Sequence, residues 1–252
     1  MLHIKEQAVR RARPALSVSF ASTAEEVRAA QALRYRIFAE EMGARLKCRE
    51  PGIDQDIFDP YCDHLLVRND DTGEVVGTYR ILPPHQARKV GTYYSDTEFD
   101  LTRFQHIRSQ MVEVGRSCVH PDYRTGATIA LLWAGLADYM QKNGYQYLMG
   151  CASVTMADGG HHAASLYRQL AEKHLSPAEW RVFPRCALPL SSLNQTLEAS
   201  VPPLVKGYLR AGALICGEPA WDPDFNTADF LVLLPMQGMN ERYAKHFLRE
   251  SE

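Results

Sequence analysis

The stretch from His64 to Val154 constrains the fold more than any other part of the chain, because it demands antiparallel and parallel neighbours in one sheet. His64-Leu-Leu-Val-Arg68 and Glu74-Val-Val-Gly-Thr-Tyr-Arg-Ile-Leu82 are strand-like runs joined by Asn69-Asp-Asp-Thr-Gly73, which predicts a hairpin. Pro83-Pro84 ends it. Residues 111–119 read as another strand, followed by a loop over 120–126. A helix comes next, with Ile129, Leu132, Trp133, Leu136 and Met140 on one face and Gly144 at its end. Tyr147-Leu-Met-Gly-Cys-Ala-Ser-Val154 is strand-like again. A strand, a helix and a strand in succession require a parallel crossover, whereas a hairpin requires antiparallel pairing. A mixed α/β sheet with helices on both faces satisfies both demands.

The flanking segments extend this pattern. Leu16, Val18 and Phe20 alternate with small polar residues, as in a strand. Ser22 with Glu25 forms the signature of a capping box. The helix it predicts runs through Val27, Ala30, Leu33, Ile37 and Phe38 and stops near Gly43. Residues 44–62 form an acidic loop, and residues 85–108 a loop with short helix. Beyond Val154 the pattern predicts a helix over 161–174, a strand over 181–190 and a helix over 204–210. Two late strands, 214–217 and 228–234, precede a closing helix over 239–248. No repeat or linker divides the chain, which reads as a basic flexible arm (1–14) and one domain (15–252).

Composition narrows the class. A net charge of −2 over 252 residues argues against nucleic-acid binding. No apolar stretch approaches the ~20 residues of a membrane span. Arg10, Arg11 and Arg13 break up the N-terminus where a signal peptide would be apolar. The six cysteines form no Cys-x-x-Cys pair and sit at no zinc-ligand spacing, so reduced thiols and no metal are expected. The pair His161-His162 reads as a helix cap. The expected location is the cytoplasm, with the basic arm offering peripheral contact to the inner membrane.

Two places carry candidate chemistry. Glu113 and Arg116 are charges inside an otherwise apolar strand, and buried charges need partners. Residues three apart in a regular strand point to opposite faces, so a shared site requires a bulge, expected near Val114-Gly115. Arg124, Thr125, Gly126, Ala127 and Thr128 open the next helix. Unpaired backbone N–H groups and the helix dipole would cradle a phosphate there.

These segments resemble known families. The strand, the Arg-x-Gly loop and the following helix look like the donor-binding segment of the GNAT acyltransferase fold. Thr128 stands where that loop usually has a second glycine. The resemblance implies a mixed, mostly antiparallel central sheet, helices on both faces and a splayed strand pair that admits a pantetheine arm. Tyr167, within Ala164-Ser-Leu-Tyr-Arg-Gln-Leu170, matches the position of a tyrosine that protonates the leaving thiolate. A second resemblance is to the acyl-homoserine lactone synthases: Arg34 and Phe38, Asp56 and Asp59, Arg80, then Glu113 and Arg116 agree in type and order. Ala44-Arg-Leu-Lys47 carries no tryptophan, which those synthases place against S-adenosylmethionine.

The widest resemblance is to the ornithine Nα-acyltransferases. It rests on Arg34-Tyr-Arg-Ile-Phe-Ala-Glu-Glu-Met-Gly43, Tyr61-Cys-Asp-His-Leu-Leu66, Val76-Gly-Thr-Tyr-Arg80, Glu113-Val-Gly-Arg-Ser-Cys-Val-His-Pro121 and Gly217-Glu-Pro-Ala-Trp-Asp-Pro-Asp-Phe-Asn226. It implies acyl transfer from a 3-hydroxyacyl carrier protein to the α-amine of L-ornithine, the first step of ornithine lipid synthesis, with no bound cofactor. Glu113 would be the base and Arg116 would orient it or hold the amino acid's carboxylate. Arg34, Phe38, Asp56, Asp59, Arg80, Ser117 and Ser153 would surround the substrates, and 124–128 would meet the phosphopantetheine. Arg124, Arg168, Lys173 and the basic N-terminal arm are the candidates to face the acidic carrier protein. Asp56, Asp59 and Asp229 are the carboxylates available to ornithine's second ammonium. Cys118 and Cys151 are alternative nucleophiles. Glycine or another amino acid as acceptor, an acyl-homoserine lactone synthase and a non-catalytic carrier-protein-binding module remain open.

Overall fold

A computed structural model describes residues 14–238. The expected arm and the closing helix over 239–248 lie outside those residues. In chain order the elements are β1 (Leu16–Phe20), α1 (Ala24–Tyr35), β2 (Asp63–Asn69), β3 (Val75–Leu82), α2 (Pro84–Val90), β4 (Phe99–Asp100), β5 (Met111–Val119) and α3 (Gly126–Asn143). They continue with β6 (Tyr147–Thr155), α4 (His161–His174), β7 (Phe183–Pro184), α5 (Pro203–Ala211), β8 (Leu214–Ile215), β9 (Ala220–Asp222) and β10 (Thr227–Pro235).

The main sheet has the order β1-β2-β3-β5-β6-β10-β8, with β9 also paired to β10. Only β5 and β6 are parallel, and their pairing stops after Glu113↔Met149. Every other pair is antiparallel. This is the mixed sheet that the sequence pattern demanded, splayed between β5 and β6 as the resemblance implied.

Alternation sorts the side chains onto two faces. Leu65, Val67, Tyr79, Val112, Val114, Leu148, Phe230 and Val232 face one core, shared with α3, α4 and α5. Leu66 and Cys118 face α1 on the other side, where Met111, Met149, Leu231 and Leu233 meet the segment between β3 and β5.

Three local expectations shift. The capping box is Thr23 with Glu26, one residue later than Ser22 with Glu25, because Thr23 is the residue that has left helical geometry (φ −127°, ψ 160°). Residues 181–190 make only the two-residue β7, paired with β4 in a separate small sheet. Prolines at 184 and 189 cannot donate to a ladder. The short strand β9 went unpredicted, since Pro219 and Pro223 flank it. Gly144 ends α3 as expected, in the left-handed region at φ 68°.

Candidate active site

The site is built where β5 and β6 part. Gly150 makes the close approach possible: a Cβ there would lie 2.4 Å from the carbonyl oxygen of Val114. Past that point a cavity of about 330 Å³ opens in the gap. Every residue from 113 to 119 and from 148 to 153 lines it. Consecutive strand residues point to opposite faces, so the cavity runs through the sheet and has two chemically different halves. Val114, Leu148, Ala152, Val232, Leu234 and Leu204 make the half towards α5 apolar. Arg80, Glu113, Cys151, Ser153 and Asp229 make the opposite half polar.

The expected bulge is present, but it falls at Arg116-Ser117. Arg80 pairs with Gly115 and Thr78 with Cys118, so β5 spends one residue more than β3 across this interval. Arg116, not Gly115, takes the left-handed conformation, with φ 49°. That turn brings Arg116 onto the same side as Glu113 despite the three-residue spacing.

The constellation of arginines and aspartates assembles into one buried network. Arg34, 0% exposed, donates from Nε to Asp54 Oδ2 (2.7 Å) and from Nη1 to Asp59 Oδ1 (2.7 Å). Arg80 reaches Asp56 at 2.7 Å and Asp59 at 3.2 Å. Arg116 lies 3.3 Å from Asp54 and 3.5 Å from Asp56, between the rings of Tyr94 and Phe225. Burial opposes ionisation of Asp59, but hydrogen bonds and charge from Arg34, with Arg80, hold its carboxyl well below the usual range. Phe38 lines the cavity from a π-helical turn over 36–41 that continues α1.

Glu113 is held differently from the expectation. Its carboxylate accepts the Tyr94 and Ser95 N–H groups (2.7 Å each) and the Ser95 hydroxyl (2.5 Å). No ion pair joins it to Arg116 among the described residues; Arg116 belongs to the aspartate loop. Complete burial pushes the Glu113 pKa up, and the hydrogen bonds from Ser95 and Tyr94 pull it back in part.

Beyond Ser95 the polar wall continues. The Ser95 hydroxyl touches Cys151 Sγ at 3.4 Å, and Cys151, Glu98 and Asp229 bring one polar atom each within 4.8 Å of one another. Burial and the Asp229 charge raise the Glu98 pKa to about 9. Burial also raises Asp229, against the hydrogen bonds it makes with Ser153, Glu98 and Thr227. One proton is therefore shared between the two carboxyls near neutral pH. Burial keeps the Cys118 thiol protonated, at about 12, and raises Cys151 well above its ordinary value. Neither is a thiolate ready for nucleophilic attack.

Of the other expected residues, Ser117, Ser153 and Arg124 line the cavity. Arg124 pairs with Glu41 at 2.7 Å near the start of α3. Thr125 is the N-cap of that helix, Gly126 and Ala127 are exposed, and Thr128 is buried and donates to the Tyr123 carbonyl at 2.7 Å. Tyr167 does not line the cavity; it packs on Phe230 with ring centres 6.4 Å apart. Tyr79, Tyr94 and Tyr208 do line it, and the Tyr79 and Tyr208 hydroxyls hydrogen-bond each other. Sequence reasoning missed Asp54, Tyr94, Ser95 and Glu98. The last three lie in the loop over 85–108, where no periodicity announces which side chains turn inward.

Comparison with known proteins fits this geometry. A family model described as an acetyltransferase (GNAT) domain matches residues 33–134. The L-ornithine N(alpha)-acyltransferase of Agrobacterium fabrum (strain C58) is 37% identical, over 94% of this chain and 86% of that protein. The enzyme of the same name from Brucella abortus (strain 2308) is 36% identical, over 94% of this chain and 90% of its own length. Among solved structures, the CoA-dependent acyl-homoserine lactone synthase BjaI superposes with a TM-score of 0.54 at 15% identity, covering 94% of this chain and 89% of its own. The N-acyl amino acid synthase FeeM, from uncultured soil microbes, gives 0.52 at 11% identity, with 89% and 94% covered. At such identities these two share the fold. With more than a third of its residues matching curated relatives along nearly its whole length, the chain belongs to the L-ornithine Nα-acyltransferase family, acyltransferases of the GNAT fold.

Proposed function

We propose that this acyltransferase moves a 3-hydroxyacyl group from acyl carrier protein to the α-amine of L-ornithine, giving lyso-ornithine lipid. One observation carries the reading: a cavity that crosses the sheet with an apolar half on one side and Glu113 on the other. The apolar half suits an acyl chain. The polar half suits an amino acid. The splayed backbone between them is where the thioester carbonyl would sit.

The chemistry is attack of an amine on a thioester. An α-ammonium must first lose a proton, and Glu113, whose pKa burial raises, is assigned to take it directly or through water. Backbone N–H groups along the parted strands would stabilise the tetrahedral oxyanion. Collapse of that intermediate expels the thiolate. Of the three tyrosines that line the cavity, Tyr79 and Tyr208 are better candidates than Tyr167 to protonate it. Arg116, at the edge of the aspartate network, is assigned to the amino acid's carboxylate. Arg124 and the exposed start of α3 are assigned to the phosphopantetheine of the carrier protein. A cytoplasmic reaction with peripheral membrane contact follows from a protein-bound donor and a lipid product. No helix among the described residues is long and apolar enough to cross a membrane.

The test supplies purified protein with 3-hydroxyacyl carrier protein or the matching acyl-CoA, against ornithine, glycine, lysine and S-adenosylmethionine, with products read by mass spectrometry. Acylornithine from the carrier-protein donor is the expected product. Acylation of glycine in its place would reassign the acceptor, and no product with any amine would remove the catalytic reading.

A further inference from the structure

Glu98 and Asp229 form a buried acidic pair for which the mechanism above has no use. They come from separate elements, Glu98 from the residue before β4 and Asp229 from β10. Asp229 is 3% exposed and lines the cavity together with Cys151, Ser153, Thr227 and Asp222. Its carboxylate is fixed by the Thr227 hydroxyl at 2.9 Å. Glu98 lines a second cavity, also bordered by Asp222, so the pair stands in the wall between the two. Both Glu98 carboxylate oxygens are buried, beside the Asp229 carboxyl and the Tyr94 hydroxyl. No Lys or Arg forms an ion pair with either carboxyl among the described residues, so near neutral pH the pair keeps one proton and carries one negative charge. A cation from outside the chain would displace that proton and compensate the charge in its place.

The geometry points to the terminal ammonium of the amino-acid acceptor as that charge: Glu98 and Asp229 are the residues that select a diamino acid. The inference rests on ornithine being the acceptor. The contacts Glu113–Ser95 (2.5 Å), Ser95–Cys151 (3.4 Å) and Cys151–Glu98/Asp229 (within 4.8 Å) lay both acidic sites along one wall. The two nitrogens of extended ornithine are about 6 Å apart. A divalent metal is the competing occupant. The Cys151 thiol, kept protonated by burial, makes a poor third ligand for one.

The test compares kcat/KM for L-ornithine with that for L-norvaline, which lacks only the terminal amine, in the parent protein, Glu98→Gln and Asp229→Asn. Both replacements keep side-chain volume and remove a like-charge contact, so both should fold, and thermal melts check this. Each variant should lose about 30-fold or more on ornithine and far less on norvaline. Unchanged ornithine turnover in both variants overturns the inference, as does an equal loss on the two substrates. Ornithine turnover that disappears with EDTA and returns with Mg²⁺ or Zn²⁺ also overturns it, by making the occupant a metal. A parent protein that acylates other amines but not ornithine removes the acceptor reading and this inference together. A parent that acylates ornithine while both variants do so equally well removes this inference alone.

Discussion

Glu113 accepts three hydrogen bonds and still lines the cavity, a combination that sets what its substitution should do. Glu113→Gln should lower kcat by about 10²–10⁴, the usual contribution of a general base. Ser95→Ala makes a finer probe. The Ser95 hydroxyl favours the charged form of Glu113, so its loss raises that pKa. A base must be deprotonated to act, so the acid limb of the kcat/KM profile should move to higher pH in Ser95→Ala. An unmoved limb would assign it to another group. Glu98 offers a second pH signature, in stability. Its folded pKa, about 9, exceeds the ordinary carboxyl value of 4.5, so the native state binds the extra proton. Stability from this group is full below pH 4.5 and declines as pH rises towards 9. Glu98→Gln should therefore melt higher than the parent above neutral pH, with the advantage vanishing near pH 4.

At the scale of elements, the parting of β5 and β6 depends on one glycine and one bulge. A methyl at Gly150 would lie 2.4 Å from the Val114 carbonyl oxygen, and backbone cannot yield as a flexible side chain can. Gly150→Ala should cost about 1–3 kcal/mol, measured by denaturant unfolding, and should lower turnover more than a distant core change of equal cost. The acidic loop over 44–62 is tied to α1 and β3 by Arg34 and Arg80. Removing one partner of a buried pair leaves the other charge uncompensated, so Arg34→Ala should cost about 3–5 kcal/mol. The same network predicts acid sensitivity. The depressed Asp59 pKa contributes stability above the unfolded value of 3.8, and that contribution falls away as pH drops below it.

For the whole molecule, the proposed seat of the acyl chain in the apolar half of the cavity predicts that acyl length is read on the side of α5. Leu204 stands on that helix and lines the cavity. Leu204→Trp should shift preference to shorter acyl thioesters, by about tenfold or more in the kcat/KM ratio of short to long donors; an unchanged ratio would place the chain elsewhere. The mixed sheet, the hairpin, α3 with its Gly144 end and the charges in β5 were legible because each follows from local periodicity or from a residue type that punctuates structure. The need for a bulge between Glu113 and Arg116 was legible too, since it follows from strand parity alone. Its place was not: Arg116 adopts φ 49° because the aspartate loop and two aromatic rings hold its guanidinium, and those partners lie far away in sequence. The chain's order of residues determined which segments pair and which faces they bury. Tertiary structure alone decided that Arg116 turns to Asp54 rather than to Glu113, that Tyr167 stays outside the cavity, and that Glu98 meets Asp229. Contacts between residues remote in sequence are set by how the strands part, and spacing along the chain carries no record of that gap.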